Sequence, residues 1–75
     1  MTLAAESGEL TGTKDKNYDL IRFTNDCLEN VLRLQTFITD AERDSDTEVT
    51  ELFRKAQADS RQGAEIAKGL LASRL

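Results

Sequence analysis

Between residues 18 and 43 apolar side chains recur at helical spacing. Leu20, Thr24, Cys27, Val31, Leu34, Ile38 and Ala41 follow one another alternately four and three apart, which is the seam of a helix packed along one line. Ile21, Phe23, Leu28 and Leu32 widen that seam to roughly half the circumference of a 3.6-residue wheel. Arg22, Asp26, Glu29, Arg33 and Asp40 take the opposite face. A seam serving one neighbour would be narrower, so the pattern predicts a helix over about 18–43 that touches at least two others.

A second periodic stretch predicts a helix over about 46–73. Its expected buried face reads Val49, Leu52, Phe53, Ala56, Ser60, Gly63, Ala64, Ala67, Leu70 and Leu71, with large residues at the ends and small ones in the middle. Ala56, Ser60, Gly63 and Ala67 would let another backbone approach closely. Gly63 and Gly69 oppose the helix by about 1 kcal/mol each relative to alanine, so something must offset them. Glu51 with Lys55, and Glu65 with Lys68, have the spacing of surface ion pairs, each contributing a few tenths of a kcal/mol.

Asp44-Ser45-Asp46-Thr47 separates the two stretches, and the chain has no proline. Ser45 with Glu48 three residues on fits a capping box, with Asp46 adding negative charge at the positive end of the second helix. The alternating aspartates also resemble the start of a calcium loop. That loop needs glycine at its sixth position and glutamate at its twelfth, where this chain has Val49 and Lys55. Capping is the better reading. Residues 1–16 lack periodicity and hold Gly8, Gly12 and Lys14-Asp15-Lys16, which by composition predicts a disordered N-terminal arm ahead of a hairpin spanning 17–75.

The expected architecture is therefore all-α: a long antiparallel helical hairpin. Each helix of about 26 residues would be roughly 39 Å long. Two such rods bury one stripe each and leave the rest of a half-apolar face in water. Docking two hairpins closes a four-helix bundle, most simply as a homodimer about a two-fold axis. The residues expected at the packing and dimer interfaces are Val31, Leu34, Phe37, Ile38, Phe53, Ala56, Ser60, Gly63 and Ala67. Phe37 falls just outside the first arc, with Asn30 near it, and is the better candidate for an intersubunit contact.

Length and composition sharpen this picture. With 75 residues the chain is one domain at most, in a range where a core seldom supplies more than about 3–5 kcal/mol. The single cysteine excludes an internal disulfide and histidine is absent, so oligomerisation is the remaining route to stability. A net charge of −4 and a pI near 4.7 argue against nucleic acid and against an anionic membrane surface as partners. No apolar run approaches the length of a membrane span. A lone thiol suits a reducing compartment, which makes a cytoplasmic location the expectation.

Catalytic chemistry finds little support. Cys27 lies on the apolar seam, where a small buried side chain is a simpler reading than a redox thiol. Tyr18 and the three phenylalanines have no basic groove to accompany them, as a nucleic-acid stacking platform would require. The carboxylates fall mainly on the polar faces, away from any pocket that could separate their pKa values.

Phe37-Ile38-Thr39-Asp40-Ala41, then Asp46-Thr47-Glu48-Val49 and Leu52-Phe53-Arg54-Lys55, then Ala64-Glu65, resemble one half of a ferritin-like or rubrerythrin-like domain. The resemblance covers about 30 residues and implies a hairpin that pairs into a four-helix bundle. Iron chemistry in that superfamily rests on a glutamate in the first helix and a Glu-x-x-His in the second. On this alignment the latter two positions hold Ser60 and Gly63. The former falls near Asn30, with Glu29 one residue off register. The resemblance thus implies the fold without its metal ligands. The whole chain also resembles small bacterial proteins of similar length, which implies a fold and no activity.

The functional expectation is a non-catalytic homodimeric bundle without metal or cofactor, acting as a structural or protein-interaction module. Its partners would be a second copy and another protein bound through a flank or the arm. Two alternatives remain: a metal or redox protein using Glu29 and Glu65, and a small-molecule binder in the bundle core.

Overall fold

The computed structural model describes residues 6–75. It contains one helical turn, α1 (Gly8–Thr11), and two long helices, α2 (Asp15–Arg43) and α3 (Thr47–Ala72), and no strand among the described residues. The long helices pack against each other as a hairpin. Among the described residues no helix is long and apolar enough to cross a membrane.

The seam between α2 and α3 is built from the positions the periodicity marks. Cys27, Leu34, Ile38 and Ala41 are buried on α2, and Ala64 and Ala67 on α3. Thr24 and Thr50 are buried beside them, and each satisfies its hydroxyl by donating to the carbonyl four residues back, Leu20 and Asp46 respectively. Alanine on α3 brings the backbones close, but it buries little apolar area per residue. Among the described residues no large side chain is fully buried.

Three cross-helix contacts define one side of this seam. Phe37 and Phe53 have ring centroids 5.5 Å apart at a tilt of 57°. Asn30 donates to the Ser60 hydroxyl at 2.8 Å. A Cβ built on Gly63 would lie 3.2 Å from the Cys27 sulfur and 3.5 Å from the Phe23 ring. On the other side Gln57 donates to the Val31 carbonyl at 3.0 Å and to the Gln35 side chain at 3.1 Å, and Arg54 meets Glu42 at 2.6 Å.

The turn differs from the capping-box expectation. Ser45 is not the N-cap: its φ is 56°, a left-handed conformation that bends the chain out of α2. Its N–H donates to the Glu42 carbonyl, and the Asp46 N–H donates to Ala41, both at 3.0 Å. That pair of bonds is the Schellman motif, with serine where glycine is usual. One residue later Asp46 takes the cap, its carboxylate accepting the Val49 N–H at 3.2 Å. The expected Glu51–Lys55 pair is also replaced, since Lys55 reaches Asp59 at 3.2 Å; Lys68 does pair with Glu65, at 2.7 Å.

The N-terminal arm departs from its compositional reading over the part described; residues 1–5 lie outside the described residues. α1 closes at Gly12, whose φ of 75° is open to glycine and whose N–H donates to Gly8 at 2.8 Å. The Glu6 carboxylate accepts from the Asp15 N–H at 3.0 Å and from Lys14 at 2.9 Å. The Asp15 carboxylate in turn accepts the Ser7 N–H at 2.9 and 3.0 Å. This reciprocal clip satisfies an orphan donor at the start of α2. The helix accordingly begins at Asp15, three residues before the onset of its apolar periodicity.

Candidate interaction surface

Of the expected interface residues, Leu34, Ile38 and Ala67 are buried within the hairpin itself and have no surface left for a second chain. Val31, Phe53, Ala56, Ser60 and Gly63 are half-buried along the seam, and Phe37 stays 40% exposed. α2 meets one long neighbour, α3, although its apolar arc is wide enough for two. The unused parts of that arc stand in solvent.

These apolar positions divide between the two sides of the hairpin. On the Phe37–Phe53 side, Leu52, Ala56, Gly63, Ile66 and Leu70 belong to one heptad-spaced stripe of α3, with Asp59 its only charged member. Leu52 and Leu70, expected on the buried face, are instead exposed, Leu52 to 62%, because they lie to one side of the line along which α3 meets α2; Ile66 is 58% exposed. Phe23 and Phe37 lie beside this stripe from α2. On the Gln57 side, Ile21, Leu28 and Leu32 form a shorter stripe on α2, with Leu32 72% exposed. Sequence reading missed Ile66, because it lies just beyond the arc that packs inside the hairpin. A second period count, made outward from Gly63, finds it.

Two shallow hollows interrupt the first side. One holds Phe37, Asp40, Ala41, Asp44, Asp46, Val49 and Phe53, and the other Phe23, Asp26, Cys27, Asn30, Arg33 and Ser60 among its lining. Both open broadly to solvent, and neither is shaped to enclose a small molecule. Arg33 donates to the Asn30 side-chain oxygen at 3.0 Å, so the hydroxyl of Ser60, the amide of Asn30 and the guanidinium of Arg33 form one chain of hydrogen bonds across the seam.

The positions aligned with metal ligands therefore hold a different arrangement. Asn30 and Ser60 bond each other, and Gly63 makes room for Cys27 and Phe23. Glu29 and Glu65 are both exposed, with Glu65 engaged by Lys68. Among the described residues no three His, Cys, Asp or Glu side chains are grouped to share a metal ion. Asn17 near the start of α2 is buried with its Oδ1 unpartnered among the described residues, and it lines neither hollow.

Comparison of the chain with protein-family models, with curated proteins and with solved structures returns no match.

Proposed function

We propose that this protein is a non-catalytic homodimeric helical bundle that acts as a structural or protein-interaction module. The observation that carries this reading is surface area. The chain exposes 5816 Å², whereas a compact monomer of its 8.4 kDa mass exposes about 4,600 Å². Exposed apolar side chains stand on both flanks, Leu52, Ile66, Leu70, Phe23 and Phe37 on one side and Ile21, Leu28 and Leu32 on the other. A second copy on one side closes a four-helix bundle, and the side left over is a site for another protein.

Sedimentation equilibrium at micromolar concentration is the test. The expected result is a dimer with a dissociation constant in or below that range. A stable, folded 8.4 kDa monomer would sink the proposal.

A further inference from the structure

Two stripes on the Phe37–Phe53 side share a symmetry that neither shows alone. On α3 the stripe reads Leu52, Ala56, Asp59, Gly63, Ile66, Leu70. Run against a copy of itself, it sets leucine on leucine at the ends, Ala56 against isoleucine and Asp59 against glycine. Large side chains face small ones about a centre near Arg61. On α2 the flank reads Phe23, Asp26, Asn30, Arg33, Phe37. Reversed upon itself, it sets phenylalanine on phenylalanine, aspartate on arginine and Asn30 on itself, with its centre at Asn30.

The fold brings the two centres to one height, because Asn30 bonds Ser60 at 2.8 Å and the helices run antiparallel. One two-fold axis, perpendicular to the helices at that level, therefore satisfies both stripes. Building on the dimer reading above, we infer that two copies dock face to face through this side, α2 over α2 and α3 over α3, each pair antiparallel. In this arrangement Asp26 reaches the partner's Arg33, and the same contact repeats across the axis. Although Asp26 also pairs with Arg22 of its own chain at 3.2 Å, this complementarity favours the antiparallel register over the parallel one, which would set Asp26 on Asp26 and Arg33 on Arg33. Gly63, already against Cys27 within the chain, leaves room on its outer side for the partner's Asp59. The Ile21–Leu28–Leu32 side stays outside the dimer.

The side and the direction are tested separately. Leu52→Glu with Ile66→Glu places charges on exposed positions of the docking side, so each hairpin can keep its own seam. This variant is expected to raise the dimer dissociation constant by about 100-fold or more, near 3 kcal/mol at 1.4 kcal/mol per tenfold. Leu28→Glu with Leu32→Glu, on the other side, is expected to change it less than about threefold. A dimer that survives the first variant and dissociates with the second overturns this inference while leaving the dimer itself intact. A monomeric parent chain overturns the dimer reading instead.

Direction is read in a Cys27→Ser background by oxidising Leu52→Cys and Leu70→Cys chains, alone and refolded together. Disulfide-linked pairs are expected only in the mixture, whichever effect the glutamate variants have. Coupling of either variant to itself, or none in the mixture, defeats the antiparallel α3 pairing. A charge exchange adds the α2 half: Asp26→Arg alone should weaken the dimer at least tenfold, and Asp26→Arg with Arg33→Asp should restore most of it. Failure of that rescue removes the predicted contact.

Discussion

Two residues govern where this hairpin bends and how closely it packs. Ser45 holds a φ of 56°, which costs an ordinary residue roughly 1–2 kcal/mol and glycine almost nothing. Its side chain makes no cap in return. Ser45→Gly is therefore expected to stabilise the protein by about 1 kcal/mol, seen as a higher midpoint in urea or thermal unfolding; a fall would mean that the serine hydroxyl does something the geometry does not reveal. Gly63 and Gly69 make the complementary pair. A Cβ on Gly69 meets nothing within 4 Å, whereas one on Gly63 meets the Cys27 sulfur at 3.2 Å. Gly69→Ala should gain up to about 1 kcal/mol from helix propensity. Gly63→Ala should gain less or lose, and Gly63→Leu should cost about 1–3 kcal/mol through overpacking. The contact itself is checked by a double-mutant cycle: adding Cys27→Ala should make Gly63→Ala more favourable than it is in the parent.

At the scale of elements, the start of α2 is held by charge as well as by periodicity. The Glu6 carboxyl is pulled below its ordinary value of 4.5, first by the Lys14 ammonium and then by the Asp15 N–H. Lys14 is raised above 10.5 by the same pairing. A depressed carboxyl contributes fully above its unfolded value, and its contribution is lost as the pH falls through the lower folded value. A raised lysine contributes fully below its unfolded value and is lost as the pH climbs through the higher folded one. The clip should therefore be complete at neutral pH and open at the acid and alkaline extremes. Both groups are exposed, so the effect is local and weakened by salt. Amide hydrogen exchange, referenced to intrinsic rates, should show Asp15 losing protection below about pH 4 while Leu34 and Ile38 keep theirs. Equal loss at all three would identify global acid unfolding instead. This clip was not legible from composition, because its bonds join residues eight or nine apart that carry no apolar period.

The whole molecule is long and thin. Its radius of gyration is 16.8 Å, against about 11 Å for a compact domain of this length. An object of that shape has little interior, and among the described residues its core of cysteine, alanine, one leucine and one isoleucine is correspondingly light. On the dimer reading proposed above, stability depends on the second copy that covers one flank. For a dimer that unfolds to monomers, the thermal midpoint should rise by about 3–6 °C for each tenfold increase in protein concentration. A midpoint independent of concentration over two decades, with the dimer present throughout, would mean that association contributes nothing to folding.

Local periodicity and punctuation were enough to locate the two long helices, the turn at residues 44–47 and the seam residues Cys27, Leu34, Ile38 and Ala41, because each depends on spacing along one segment. They also identified Gly63 as a packing position, since a mid-helix glycine is unfavourable unless something offsets it. What each position packs against was decided only in three dimensions. Ser45 read as the cap in sequence, with Asp46 only adding charge to the helix start; the backbone dihedral at Ser45 and the bond from the Val49 N–H to the Asp46 carboxylate gave the cap to Asp46. Leu34, Ile38 and Ala67 could have faced a second chain until α3 closed over α2 and used them up. Ile66 and Leu52 acquired their significance in the same way, by being left outside. Amphipathic period records how much apolar surface a helix carries; which neighbour takes each part of it depends on the angle at which the helices meet, and that angle is a property of the packed pair.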